Sequence, residues 1–120
     1  MKIAIAVEEQ SMESIISPSF TRGLYFLIYD TRTHMKTYLN NEAKDKQGGA
    51  GIIAAQIIVD EEADVLLTPK CTGNAADILE AANISLYKTR NNLALVNIEA
   101  FKNGKLSLLE EIHPDFHKRG

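Results

Sequence analysis

Residues 2–7 read Lys-Ile-Ala-Ile-Ala-Val, an almost unbroken apolar run closed by Glu8-Glu9. A run this short and continuous fits a strand covered on both faces, hence the middle of a sheet. That reading constrains the rest of the chain. Other strands must flank this one, and helices must cover both its faces. The same residues resemble the core of a signal peptide, but they meet acid too early and no cleavage-site pattern follows.

The remaining elements follow from local pattern. Leu24-Tyr25-Phe26-Leu27-Ile28-Tyr29 is a second strand by its aromatic and aliphatic content. Asp30–Thr33 is a turn and Met35–Leu39 a half-exposed third strand, so a hairpin makes these two antiparallel. Residues 51–62 predict a helix with Ile52, Ile53, Ile57, Ile58 and Val59 apolar. Asp64–Leu67 is a fourth strand. Asn74–Ala82 predicts a helix with Ala75, Ile78, Leu79 and Ala82 on one face, Asn74 as cap and Asn83 as left-handed stop. Ile84–Tyr87 is a fifth strand. Residues 92–102 fit either a helix through Leu93, Val96 and Ala100, ended by Gly104, or a strand at 95–98; the helix is preferred. Residues 1–108 form one α/β domain and 109–120 a tail.

Right-handed crossovers then place strands 4 and 5 parallel to strand 1. The expected sheet order is 3-2-1-4-5, with strand 2 antiparallel. Strands 1 and 4 become neighbours whose connections leave in opposite directions, and open α/β sheets bind ligands at such a point. The loops 8–23, 40–51 and 68–74 all reach that end.

Two of these loops run into helices through Gln47-Gly48-Gly49-Ala50-Gly51 and Lys70-Cys71-Thr72-Gly73-Asn74. Each junction offers small residues, free backbone N–H groups and a positive helix end, the means of holding an anion with backbone. No Gly-Lys-Ser/Thr follows the glycines, so this is not a Walker motif.

Composition excludes some classes. The chain has 120 residues and a net charge of −3, which argues against a nucleic-acid coat. Its apolar stretches are too short for a membrane span. One cysteine excludes an internal disulfide and fits a reducing cytoplasm.

Several motifs now fall in order: Ser17-Pro18-Ser19-Phe20-Thr21-Arg22 before Tyr25-Phe26, then Gly48-Gly49-Ala50-Gly51-Ile52-x-Ala54-Ala55, then Thr72-Gly73-Asn74-Ala75 before Ile78-Leu79-x-Ala81-Ala82-x-Ile84. Together they resemble the dinitrogenase iron–molybdenum cofactor biosynthesis family, over residues 1 to about 106. The chain departs from that pattern at Thr21, where glycine is usual, and at Thr72-Gly73, where glycine-proline is frequent. The resemblance implies a ribonuclease H-like fold. It also implies non-catalytic binding of an iron–sulfur or iron–molybdenum type cluster, or a precursor, with a donor or acceptor protein as partner.

The candidate residues carry paired readings. Cys71, ahead of a helix N-terminus that would lower its pKa, is either a thiolate ligand to iron or a small apolar loop residue. Gly48, Gly49 and Gly51, with Gly73 and Asn74, either approach a ligand closely or only form flexible loops. Arg22 either clamps an anion or pairs with Glu8 or Glu13. His113 and His117 have helical metal-ligand spacing, interrupted by Pro114. A nuclease would need carboxylates converging on the first strand, and Glu8, Asp30 and Asp64 do not converge. The competing class is a regulatory or protein-interaction module that binds a small anion or nothing.

Overall fold

The computed structural model describes residues 1–71 and 73–109. Its elements are β1 (Lys2–Val7), β2 (Tyr25–Asp30), β3 (Lys36–Asn40), α1 (Ala50–Asp60), β4 (Val65–Thr68), α2 (Gly73–Ala81), β5 (Ser85–Lys88) and α3 (Ala94–Lys102). The sheet order is β3-β2-β1-β4-β5. β2 runs antiparallel to β1 and β3, while β4 is parallel to β1 and β5. This is the mixed α/β sheet that the strand pattern predicts.

The alternation in β1 explains the layering. Ala4 stands in register with Ile28 and Leu66, and Ile5 with Leu27 and Leu67. Partners in register share a face. Ala4, Ala6, Phe26, Ile28, Leu66 and Leu86 pack with Ala54, Ala55 and Ile58 of α1 and Ala76 and Leu79 of α2. Ile3, Ile5, Val7, Leu27, Val65 and Leu67 pack with Ala94 and Ile98 of α3. The small alanines of β1 thus lie under two helices and its isoleucines under one.

Some expected faces shift. α1 buries Ala50, Ala54, Ala55 and Ile58, while Ile52 is exposed. α3 buries Ala94, Asn97 and Ile98, and Leu93 and Val96 lie outside. In both helices small residues make the close contact, which a count of large apolar residues overlooks. Asn83 and Gly104 do take left-handed φ values of 62° and 69° just past the ends of α2 and α3. Leu109, placed at the head of the tail by its sequence, is fully buried in the α1/α2 core. The rest of that tail, with His113 and His117, lies outside the described residues.

No helix among the described residues is long and apolar enough to cross a membrane.

Candidate functional site

β1, β3, β4 and β5 all end on one side of the sheet, so their outgoing loops share it. The loop after β1 is folded onto the sheet. Ser17 N–H donates to the Ala6 carbonyl and Val7 bridges to Ile16. Ser14 Oγ accepts from the N–H groups of Glu8 and Glu9. Ile16 and Phe20 are buried anchors, whereas Ile15 is exposed.

The loop after β3 is joined to it. The buried Asn41 amide donates to the carbonyls of Thr21 and Gly23. Arg22 Nη1 donates to the carbonyls of Lys44 and Lys46, both at 2.8 Å. The expected pairing of Arg22 with Glu8 or Glu13 does not form; the Glu8 carboxylate accepts the Leu24 N–H instead. Arg22 therefore clasps two loops, placing its cation beside the entrance to α1.

The glycines divide by role. Gly49 caps α1 with φ 72°, and Gly73 opens α2 with φ 67°. A side chain at either would meet no atom within 4 Å, so the need is for backbone conformation and the space is open. Gly48 is equally open. Gly51 is different: a Cβ there would lie 3.5 Å from Ala75 Cβ and 3.8 Å from Thr21 Cγ2. The first turns of α1 and α2 therefore start side by side, against the Thr21 loop. No side chain caps α1, and neither helix has an acid in its first turn.

Two expectations for α2 change. The helix begins at Gly73, so Asn74 lies exposed within the first turn rather than capping it. Cys71 is buried, 4% exposed, in the α1/α2 core. Burial first, and the charge of Glu80 second, push its thiol up to about 12. The expected lowering by a helix end is outweighed, because a thiolate in this core would lose its hydration.

The carboxylates separate as anticipated. Asp30 and Asp64 flank Lys2, in register with it and bonded to its N–H respectively, while Glu8 follows the other end of β1. The length of the strand, roughly 20 Å, lies between them. Among the described residues no group of three His, Cys, Asp or Glu side chains is placed to hold a metal ion.

A second feature lies at this end of the sheet, where the sequence alone places Lys88 and Arg90 but not Lys105. Lys88, Arg90 and Lys105 line a concavity beside β5. Its signals were Lys88-Thr89-Arg90 at a strand exit and the polar Asn97 inside an apolar helix face.

An open mixed α/β sheet with two glycine-entered helix ends at its switch point has the geometry at which such sheets bind ligands. Residues 1–104 match the family described as dinitrogenase iron–molybdenum cofactor, and the chain belongs to it. The apo form of the orange protein from Desulfovibrio gigas is similar in structure, with a TM-score of 0.84 and 28% identity over 89% of this chain and 91% of that one. A putative NifB protein from Thermotoga is also similar, at TM-score 0.78 and 28% identity over 90% and 92% of the two chains. A putative dinitrogenase from Methanocaldococcus jannaschii, at 22% identity, TM-score 0.69 and coverage of 91% and 94%, shares the fold. No curated protein is significantly similar in sequence.

Proposed function

We propose that this protein carries a preformed, anionic metal–sulfur cluster of iron–sulfur or iron–molybdenum type, without turning over a substrate. The observation that carries the reading is the paired start of α1 and α2, entered through left-handed Gly49 and Gly73 with open space above both. Two neighbouring positive helix ends favour one anion, and open glycines let it approach the backbone. In this reading Gly48, Gly49, Gly51, Gly73 and Asn74 form the floor, and Arg22 supplies the cation at its rim. Membership of the cofactor family supports the cargo, and a relative described as an apo form implies a loaded one. The partner is then a protein that gives or takes the cluster.

Cys71 enters this scheme through an opening. To ligate an open iron, its buried thiol would have to become exposed and give up its proton to solvent as the sulfur binds, because burial pushes its pKa up to about 12.

The test is anaerobic loading with ferrous iron, sulfide and thiomolybdate, followed by metal and sulfide analysis of the desalted protein. Stoichiometric, coloured uptake is expected. Arg22→Gln lowers retention about tenfold, the usual scale of one lost charge-assisted hydrogen bond. No uptake by the wild-type chain removes the carrier function and leaves an interaction module. Uptake with equal retention in Cys71→Ser leaves the carrier and removes the thiol ligand.

A further inference from the structure

Beside β5 the surface carries two adjoining open concavities, of about 570 and 330 Å³. The larger is lined by Lys88, Thr89, Arg90, Lys105 and Ser107; the smaller shares Thr89 and Arg90 and continues along Asn91 and Asn92 to Pro18. Among the described residues no carboxylate lines either one. Among the described residues, none of the three cations forms an ion pair. In a chain of net charge −3, three basic residues line one concavity.

Each cation is held by a separate device. Lys88 sits on β5, its N–H bonded to the Ser107 carbonyl and its Nζ to the Pro69 carbonyl. Arg90 is set by Asn97, a fully buried side chain of α3. The Asn97 Oδ1 accepts the Arg90 N–H, and its Nδ2 donates to the carbonyls of Asn91 and Leu93. Lys105 is set by the end of α3, where its N–H returns to the Ala100 carbonyl after the left-handed Gly104. The Arg90 Nη1 then donates to the Lys105 carbonyl. A buried asparagine devoted to shaping a basic loop is the mark of a preorganised site.

We propose that this concavity binds a phosphorylated small molecule, with the phosphate among Lys88, Arg90 and Lys105 and the hydroxyls of Thr89 and Ser107. Lysine and arginine side chains suit phosphate oxygens, arginine through its planar fork. Size argues for an ester over the bare ion. Small-molecule pockets run from about 300 to 1,000 Å³, and the adjoining space offers amides to a neutral polar body. This site adjoins the cargo end through Pro69 but draws on different side chains, and it does not rest on the cargo reading.

The test titrates the full, cluster-free chain with ribose 5-phosphate, inorganic phosphate and ribose, following the amide signals of residues 88–92 and 105–107. Ribose 5-phosphate is expected to bind with Kd near or below about 1 mM and more tightly than phosphate, while ribose leaves these signals unmoved. Affinity falls with added salt. Arg90→Gln weakens it about tenfold or more, and the exposed Lys105→Gln, which keeps every backbone contact, weakens it in the same direction. No shift at about 10 mM ester in low salt overturns the site. So does an equal response to ribose, or binding of phosphate with the ester excluded. Arg90→Gln is expected to load clusters like wild type; joint loss of ester and cluster would merge the concavity with the cargo site and overturn its independence.

Discussion

Cys71 shows how far a residue's role depends on its surroundings. Position ahead of a helix end argues for a reactive thiolate, and burial argues for an inert thiol; burial prevails. The sign of the pH effect follows. The thiol ionises near 9 in the unfolded chain and about 12 in the fold. Its contribution is complete below about pH 9 and is lost between 9 and 12, because the unfolded state releases its proton first. Urea denaturation of wild type and Cys71→Ala between pH 8 and 10.5 is expected to show an extra alkaline loss only in wild type. Its limiting slope is about 1.4 kcal/mol per pH unit. Parallel curves would mean the thiol is ordinary. Asn97 makes the complementary point. Asn97→Leu strips the side-chain partner from the Arg90 N–H and the Asn91 carbonyl, while the Leu93 carbonyl keeps the backbone N–H of residue 97, and is expected to cost about 2 kcal/mol in urea denaturation. It should also weaken the phosphate ester, which Asn97 does not touch. The glycines were legible in the sequence as loop-to-helix junctions; the bonds of Arg22 to the Lys44 and Lys46 carbonyls were not. Neither was Asn97, since its value lies in the Arg90 N–H and the Asn91 carbonyl, which only the folded loop brings to it.

At the scale of elements, α1, α2 and α3 stop in the same way. Ala63 N–H returns to Ile58, Ile84 to Leu79 and Lys105 to Ala100, each after a residue with φ between 59° and 69°. This is the Schellman arrangement, which satisfies carbonyls the last turn leaves open. The left-handed residue differs each time: Glu62, Asn83 and Gly104. Asparagine and glycine are readable stop signals, and they were the two ends legible in the sequence. Glutamate is not, so the first helix looked longer than it is. Opposite substitutions follow. Glu62→Gly is expected to stabilise by about 0.5 kcal/mol, the relief of left-handed strain less the added freedom of the unfolded chain. Gly104→Ala is expected to cost about 1 kcal/mol by backbone conformation alone, as no atom lies within 4 Å of the added carbon. Thermal melts place the two on opposite sides of wild type, by about 2 and 4 °C. Shifts of the same sign would mean the helix ends are not what these residues control.

Across the whole molecule, strand order was legible because β1 announces its central place and handedness leaves few alternatives. The treatment of the sheet edges was not legible, because it depends on segments with little periodicity. Residues 105–109 fold over the β5 edge, where Ser107 accepts the Lys88 N–H and Leu108 bridges Tyr87. β3 forms the other edge, with no strand beyond it among the described residues. Its outer row of backbone groups is a template for pairing with another chain. Lys36 stands exposed at the head of this strand, next to Met35, which is 65% exposed. A lysine here opposes edge-to-edge pairing, since a second copy would have to bring its own lysine close or strip its hydration. Lys36→Val removes that obstacle and adds β-propensity beside an exposed methionine. Sedimentation velocity over a concentration series is the measurement. The variant is expected to associate more strongly than wild type, with the excess surviving added salt, because the new contact is backbone and apolar in nature. An unchanged distribution would show that the twist and shortness of β3 protect the edge without help from its charge.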